Sequence, residues 1–465
     1  MRARADLILR RVRPFGRAET SLVVKGGVIV GQDSLPWSGP ELDAAGAHVF
    51  PGLIDHHVHL LATAARQQSV DLAGLQDEAA IVRTLRDYVR TLPHGSWVRA
   101  VNYDERSAGL PDAECLSRWL PLHRLRIQDR TGALWMLNRL ALDEVGAGPF
   151  PPGVAFDAAG KPTGLIWRED SWLRMKLGQA APDLAALSRQ CATWGVTGFT
   201  DAGADNGEEE AQVLSAARAS GALLQHLYLM GHEALPEGKH YRRGPLKLLY
   251  DDADLPDLDA YAARIRFART QGRAVAAHCV TVAELALFLA ALVAAGGGRW
   301  GDRVEHGGLI PASYIPELRR HALTVVTQPD FIRTRGDRYR TEVDPAGWPD
   351  LYRLASLVSG DIAVSVGSDA PYGSVNPWDT IRSATRRETR EGCGLGAGEA
   401  LPPADVLAMY CGSFERPSVA RDLSLGDPAD FVLLDPDWAA MVHDNSFNPV
   451  RGTWIDGKCC FGVGL

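Results

Sequence analysis

The sequence lacks the features that mark membrane, secreted and nucleic-acid-binding proteins. Its most apolar stretch, residues 285–298, is too short to cross a bilayer and ends in three glycines, so it predicts a buried helix. No apolar signal core follows the basic N-terminus, which argues against secretion. A formal net charge of -8 gives no electrostatic reason to expect nucleic acid or an anionic membrane as a partner.

Cysteine is scarce and shows no pattern. The chain has 7 cysteines, with no CxxC and no disulfide-like spacing, so we expect a reduced, cytoplasmic protein. The remaining composition, 46% hydrophobic and 23% charged, is that of an ordinary globular protein. A length of 465 residues is too great for one compact core and predicts a large domain with smaller pieces.

Both ends of the chain are predicted to form β-structure. Residues 1–50 and 425–465 show short strand-like runs without helical periodicity, such as ADLILRRV, SLVVKGGVIV and DFVLLDPDW. We predict that the two termini together form a small β-sandwich.

The central part alternates strand-like and helical segments. Over residues 51–61 and 191–424 the strand-like runs recur about every 30 residues, which indicates parallel βαβ units. Their number is sufficient for a TIM (β/α)8 barrel, whose active site lies at the carboxyl ends of the strands. Residues 62–190 are too many for one connection and have their own helix and strand patterns. We predict an insertion subdomain there, after the first barrel strand and over the barrel mouth.

The first chemical signal is FPGLIDHHVH, residues 50–59. Alternate residues of a strand share a face, so His57 and His59 point together while His56 points away. Two imidazoles on one face can hold a divalent metal. A His-x-His pair alone, however, is more often two hydrogen-bonded histidines than a metal site.

Later strands end in residues of the same kind. His278 closes AVAAHC, His306 closes RVEHG and Asp369 closes SVGSD. Each of them taken singly is best explained as a capping or loop residue. A barrel, however, brings the carboxyl ends of its strands together, so the set as a whole predicts one metal site.

Lys247 lies within the apolar run GPLKLLY. A charged lysine inside a strand is costly, and burial lowers its pKa. Its side chain either extends to solvent at the strand end, or it is a neutral amine that captures carbon dioxide and becomes a carbamate able to bridge two cations. Spacing alone leaves both readings open.

These motifs, in this order, resemble the amidohydrolase superfamily. The resemblance is carried by FPGLIDHHVH, GPLKLLY, AHC, RVEHG and GSDAP, with support from VDLAGL, PTGLIWRE, TQPDF and GDPADFVLLD. Within the superfamily the chain is most similar to amidohydrolase family 3, the YtcJ-like branch, over nearly its whole length. The resemblance implies the barrel, the terminal β-sandwich and the insertion that the strand pattern predicts.

The resemblance also implies a set of metal ligands. It assigns them to six residues: His57, His59 and Asp369 for one ion, His278 and His306 for a second, and N6-carboxylated Lys247 between them. Zn2+ suits such an imidazole-rich site, with Mn2+, Fe2+ and Co2+ as alternatives, and either one ion or two is expected. The implied reaction is hydrolysis of a carbon–nitrogen bond other than a peptide bond, with Asp369 moving the proton from the activated water to the leaving nitrogen.

Two other activities occur on this scaffold, heterocycle deamination and lactone or ester hydrolysis. Deaminases of that kind place a glutamate soon after the histidine of the fifth strand, whereas HCVT follows here and Glu284 lies further along. A non-catalytic relative is disfavoured because the ligand set is complete. We expect a small-molecule substrate, such as an amide, N-acyl, N-formyl, carbamate or cyclic amide compound, and a homodimer.

Substrate contacts are predicted from departures from the family pattern. A histidine usual in this branch is replaced by Ala133, and VNYDE stands where Gly-Trp-Asp is usual. We therefore expect Tyr103 and Asp104 to contact the substrate, although a half-buried aromatic under the insertion would explain Tyr103 equally well. Glu169 is either an active-site carboxylate or a surface residue. Phe331 and Trp378 are further candidates if they face the barrel mouth. An aromatic wall of this kind would suit a bulky or aromatic acyl or amine part.

Overall fold

The computed structural model describes residues 3–14, 17–32, 37–177, 182–444 and 448–462. The chain divides into two compact units. The first unit comprises Met1–Thr63 and Leu184–Leu465, and the second comprises Ala64–Asp183, where the sequence predicts an insertion over 62–190. Each unit has its own sheet structure and its own hydrophobic core.

The first unit contains eight parallel strands that lie in the sheet in the order of the chain. We number them as the first to the eighth barrel strand. Their bounds are Leu53–Val58, Val196–Asp201, His226–Gly231, Arg242–Leu248, Val275–Cys279, Arg303–His306, Thr324–Thr327 and Ala363–Val366.

The first and eighth strands are joined by backbone hydrogen bonds at their carboxyl ends. The Asp369 N–H donates to the His57 carbonyl at 2.7 Å, and the His59 N–H donates to the Ala370 carbonyl at 2.9 Å. These bonds bring the two ends of the sheet together. The predicted fold class, a (β/α)8 barrel carrying a terminal β-domain and an insertion after its first strand, is confirmed.

Helices alternate with the barrel strands and cover the apolar faces of the strands. Val275, Val304 and Val325 of the strands share one buried core with Leu285 and Phe288 of the helix Val282–Ala294, the apolar segment that the sequence predicts to be a buried helix. The helices of the first unit are Leu184–Thr193, Glu208–Ser220, Leu258–Thr270, Val282–Ala294, Ile315–Arg320, Asp330–Glu342, Ala355–Ser359, Pro377–Arg386, Pro403–Tyr410 and Trp438–Met441. A further helix, Leu60–Gln67, follows the first barrel strand.

The two termini share a sheet. Alternating apolar residues bury one face, where Phe431 stacks on Trp454 with ring centroids 4.8 Å apart. The strands lie in the order Lys458–Gly462, Val450–Ile455, Phe431–Leu434, His48–Pro51, Leu7–Pro14, Thr20–Lys25 and Val28–Gly31, with Glu41–Asp43 beside Leu7–Pro14. A separate pair is formed by Ala3–Arg4 and Trp37–Ser38.

The second unit is built on a six-stranded mixed sheet. Its strands lie in the order Val154–Phe156, Pro162–Trp167, Leu134–Leu137, Arg124–Asp129, Trp97–Tyr103 and Val70–Asp71. Its helices are Glu78–Tyr88, Glu105–Ala108, Ala113–Trp119, Arg139–Val145 and Asp170–Leu177.

Within the described ranges, none of the helices combines the length and the apolar character that a bilayer-spanning segment needs.

Candidate metal centre

Six residues from five barrel strands and their ends line one cavity of about 290 Å³ in the first unit. They are the residues that the sequence predicts as metal ligands: His57, His59, Lys247, His278, His306 and Asp369. Parallel strands of a barrel place their carboxyl ends on one side, and all six residues lie at or near those ends. The structure therefore brings the whole predicted set together.

The acid lies between the imidazoles. Asp369 Oδ1 is 3.1 Å from His59 Nε2 and 3.5 Å from His57 Nε2, and Asp369 Oδ2 is 3.8 Å from His306 Nδ1. The ring centroids of His278 and His306 are 4.6 Å apart. Ligands about 2.1 Å from a tetrahedral ion are about 3.4 Å from each other. The distances of 3.1 and 3.5 Å between Asp369 Oδ1 and the Nε2 atoms of His59 and His57 are compatible with a shared ion.

Two buried nitrogens at the centre have no hydrogen-bond partner among the described residues. They are His57 Nε2 and Lys247 Nζ. An unsatisfied buried polar atom costs about 1–3 kcal/mol, so native proteins rarely leave one without a function. A divalent cation, with the lysine modified to an oxygen donor, would satisfy both atoms. The residues present fit such an ion.

Burial keeps three of the imidazoles in the neutral form that binds metals. It lowers the pKa of His278 to about 4 and that of His306 to about 3, and it holds the pKa of His57 well below its usual value. Burial also lowers the pKa of Lys247, against the opposing pull of Glu305 and Asp369.

The pKa of Asp369 is shifted so that the charged form of this side chain is favoured. Burial alone would raise its pKa, but the hydrogen bond from His59 and the adjacent imidazoles hold it below the ordinary value of 3.8. The carboxylate is therefore ionised at neutral pH, as a ligand or a proton acceptor must be.

A second layer of side chains orients the rings. The Nδ1 atom of His57 is hydrogen-bonded to the Glu305 carboxylate, which also accepts from Arg303 Nε at 2.7 Å. The Nδ1–H of His306 donates to Gln328 Oε1 at 2.9 Å. These bonds place the proton on Nδ1 and leave Nε2 free to bind an ion, the usual arrangement for metal-ligating histidines.

Sequence reasoning missed this second layer. A signal exists for Glu305, since a charged residue directly precedes His306 in an otherwise buried strand. A further buried acid, Asp55, accepts from the backbone N–H groups of His57 at 3.2 Å and Ser368 at 2.9 Å, and burial raises its pKa to about 6. Asp55 thereby fixes the first strand against the loop that carries Asp369.

Two of the candidate ligands have an unusual backbone conformation. His306 has φ of 69° and Asp369 has φ of 50°, both in the left-handed region. Residues other than glycine enter this region at a cost, and such strain clusters at functional sites. The turn at each strand end directs the side chain towards the cavity instead of continuing the strand alternation.

The predicted substrate contacts are divided. Phe331 lines the cavity, together with Arg335, Tyr352 and Tyr372, which sequence reasoning did not single out. Trp378 does not line it. The Trp378 side chain is 1% exposed and packs in the core near Trp438, because the helix that begins at Pro377 turns this residue towards its buried face.

The other three predicted contacts lie in the second unit. The buried Tyr103 donates its hydroxyl to the Gly109 carbonyl at 2.8 Å. Asp104 Oδ1 caps a short helix by accepting from the Arg106 N–H at 3.0 Å, and Glu169 Oε1 accepts from the Gly153 N–H at 3.1 Å. All three are thus engaged within their own unit, and their contact with substrate stays a prediction.

A second group of histidine and aspartate lies elsewhere in the first unit. His226, the first residue of the third barrel strand, has its Nε2 atom 3.0 Å from Asp430 Oδ2 and 3.4 Å from Asp456 Oδ1. Arg218 Nη2 donates to Asp456 Oδ2 at 3.0 Å, and the Asp456 N–H donates to Asp430 Oδ1 at 2.7 Å. This group lies at the amino end of its strand.

The fold and the convergent histidines define the chain as a barrel protein of the hydrolase class with a candidate metal centre. The model of the Amidohydrolase family matches residues 41–461, and the chain belongs to that family.

Individual relatives agree with this assignment. YtcJ of Bacillus subtilis, which carries an amidohydrolase name, is 25% identical over 91% of this chain and 92% of its own length. The N-substituted formamide deformylase of Arthrobacter pascens is 24% identical over 85% of each chain. A metal-dependent hydrolase of Pyrococcus horikoshii has the same fold, with a TM-score of 0.78 and 17% identity over 94% of this chain and 99% of that one.

Proposed function

We propose that the protein is a metal-dependent amidohydrolase that cleaves a carbon–nitrogen bond, other than a peptide bond, in a small-molecule substrate. The carrying observation is the convergence of four imidazoles, one carboxylate and one unpartnered lysine on a single cavity. The name of the Arthrobacter relative, a deformylase of N-substituted formamides, supports N-acyl or N-formyl compounds as the class to test first.

The ligand assignment follows the family pattern. His57, His59 and Asp369 would hold one divalent ion, and His278 and His306 a second. Lys247 would lie between them as a carbamate, formed when its neutral amine adds to carbon dioxide and releases a proton. Zn2+ is the ion that this donor set suits best, with Mn2+, Fe2+ and Co2+ as alternatives.

A bound ion would supply a water of lowered pKa and would polarise the substrate carbonyl. Asp369 is ionised and lies 3.1 Å from His59 Nε2, so it can accept the proton of the attacking water. The same carboxyl can then donate that proton to the departing nitrogen, which leaves as a neutral amine. The cavity lining also contains apolar residues, among them Phe331 and Val280, which would contact an apolar part of the substrate.

The position of Glu284 argues against a deaminase. Its Oε2 atom accepts from the N–H groups of Val280 at 2.6 Å and Thr281 at 2.9 Å, which caps the helix Val282–Ala294. A carboxylate held by two backbone donors is a structural cap and is not placed to move protons for a heterocycle. Lactone and ester hydrolysis would use the same polarised carbonyl, and a substrate panel distinguishes them from cleavage of a carbon–nitrogen bond.

A substrate panel tests the proposal. Zinc-loaded protein is assayed with N-formyl amines, N-acyl amines, carbamates and lactones, and the released amine or acid is identified. We expect turnover of at least one compound with a carbon–nitrogen bond, abolished by a chelator and restored by Zn2+. Turnover of lactones alone, or turnover that the chelator leaves unchanged, would reject the proposal.

A further inference from the structure

Arg335 is an arginine in the wall of the metal cavity with no acidic partner. Its guanidinium carbon lies 3.8 Å from the ring centroid of Phe331, and both residues line the cavity. One nitrogen, Nη2, donates a long hydrogen bond of 3.4 Å to the Tyr372 carbonyl. Among the described residues of its own unit, Arg335 forms no ion pair.

Two other arginines of the same helix, Asp330–Glu342, are paired with acids. Arg333 Nε pairs with Asp330 at 3.0 Å, and Arg338 Nε pairs with Glu342 at 2.7 Å. Residues 331 and 335 lie one turn apart on the face that reaches the cavity. Arg340 of this helix has other contacts: it donates to Cys393 Sγ at 2.9 Å and lies over the ring of Trp348. Among the described residues of this helix, Arg335 is thus the arginine that lines the cavity.

Among the described residues that line the cavity, no acid is free to bind Arg335. Asp369 is the single carboxylate among its lining residues, and it is engaged with the imidazoles. The arginine is held in place by its stacking on Phe331, so its planar fork of N–H donors is already oriented. Such a fork matches the two oxygens of a carboxylate.

Tyr372 links this arginine to the metal centre. Its ring contacts that of His59 edge to face, with centroids 5.9 Å apart, while its carbonyl accepts from Arg335. An anionic group bound at Arg335 would therefore be separated from the metal centre by roughly the length of Tyr372. That separation suits the two ends of one small molecule.

We propose that Arg335 binds a carboxylate of the substrate, so that the preferred substrates are N-acyl or N-formyl amines that also carry a carboxylate. The inference rests on the proposed function for the reaction itself. The binding of the carboxylate can be measured without turnover.

Two pairs of probes separate the two proposals. The non-hydrolysable pair is 4-phenylbutanoate and the neutral methyl ketone of the same length, 5-phenylpentan-2-one, and their binding to the purified protein is measured by calorimetry. The hydrolysable pair is N-formylphenylalanine and its carboxamide, and kcat/KM is measured for each. The proteins are the wild type, Arg335→Gln, Arg335→Lys and, as the matched control, Arg338→Gln.

We expect the wild type and Arg338→Gln to prefer the carboxylate by about tenfold or more in both pairs. Arg335→Gln should lose this preference, because KM for the carboxylate compound rises by about tenfold while kcat for it changes little, and Arg335→Lys should recover part of the preference. Selective carboxylate binding without hydrolysis would reject the proposed function and keep the assignment of Arg335. The assignment of Arg335 would be overturned if the wild type bound the charged and the neutral compound of each pair equally well. It would also be overturned if Arg335→Gln kept the preference for the carboxylate.

Discussion

The two groups of histidine and aspartate in the first unit are nearly alike in spacing. At the carboxyl ends of the barrel strands, imidazole nitrogens lie 3.1 and 3.5 Å from an oxygen of Asp369. At the amino end of the third strand, His226 Nε2 lies 3.0 and 3.4 Å from its two aspartates. Distances between side chains therefore do not tell a metal centre from an ion-pair cluster.

What separates the groups is their place in the barrel and the partners of their acids. At the amino end, Asp456 accepts from Arg218 and Asp430 accepts from the Asp456 backbone, so both acids already have donors. Buried nitrogens without a hydrogen bond occur in both groups, at His226 Nε2 and at His57 Nε2 and Lys247 Nζ. The carboxyl-end group, however, joins four imidazoles and a lysine to its acid in one cavity, at the strand ends where barrels carry their active sites.

The largest effect is expected from removing the negative charge of Asp369, compared with the same change at Asp456 in the amino-end group. Asp369→Asn should lower kcat/KM by about 10² to 10⁴, because it removes both a ligand and the proton carrier. Asp456→Asn, the matched control, should leave kcat/KM within about twofold. Circular dichroism checks that both variants are folded. Comparable losses in the two variants would mean that the groups are not functionally distinct.

A smaller effect is expected from the second layer. Glu305→Gln should weaken divalent-ion affinity by about 10- to 100-fold, because His57 loses the carboxylate that fixes its tautomer. The affinity is measured by competition with a chromogenic chelator. Since Arg303 also loses its partner, thermal unfolding of the variant is recorded in parallel. Wild-type affinity in a folded variant would show that Glu305 does not orient the ligand.

The smallest effect concerns pH and the amino-end group. Burial pushes the pKa of Asp430 upwards, but the hydrogen bond and charge of His226 hold it below its ordinary value of 3.8. The folded form thus favours the ionised carboxylate, which contributes stability above pH 3.8 that is lost as the pH falls through the folded pKa. Asp430→Asn should reduce the acid sensitivity of the free energy of unfolding in this range. An identical acid dependence in the variant would contradict that linkage.

The barrel and its candidate ligands could be predicted from the sequence because both depend on local pattern. Strand alternation placed His57 and His59 on one face, and the rule that parallel strands gather their carboxyl ends predicted that His278, His306 and Asp369 would meet them. The structure shows these residues lining one cavity.

The remainder depended on three-dimensional contacts that no local pattern reveals. Glu305 and Gln328 act through hydrogen bonds between separate strands, and His226 meets acids more than two hundred residues along the chain. The TQPDF motif indicated Phe331. Arg335 follows one helical turn later, and only the structure shows that it stacks on Phe331 and lines the cavity. Trp378 lies on a helix that is buried on most of its sides, which the local pattern around this residue does not reveal, and its contact with substrate stays a prediction.

Metal content tests the central claim most directly. Wild type, His57→Ala and His226→Ala are purified, loaded with Zn2+, dialysed and analysed by plasma mass spectrometry. We expect one or two ions per chain in the wild type and in His226→Ala, and less than half of that amount in a folded His57→Ala. A wild type without bound zinc, or a His57→Ala variant that keeps its full complement, would contradict the account.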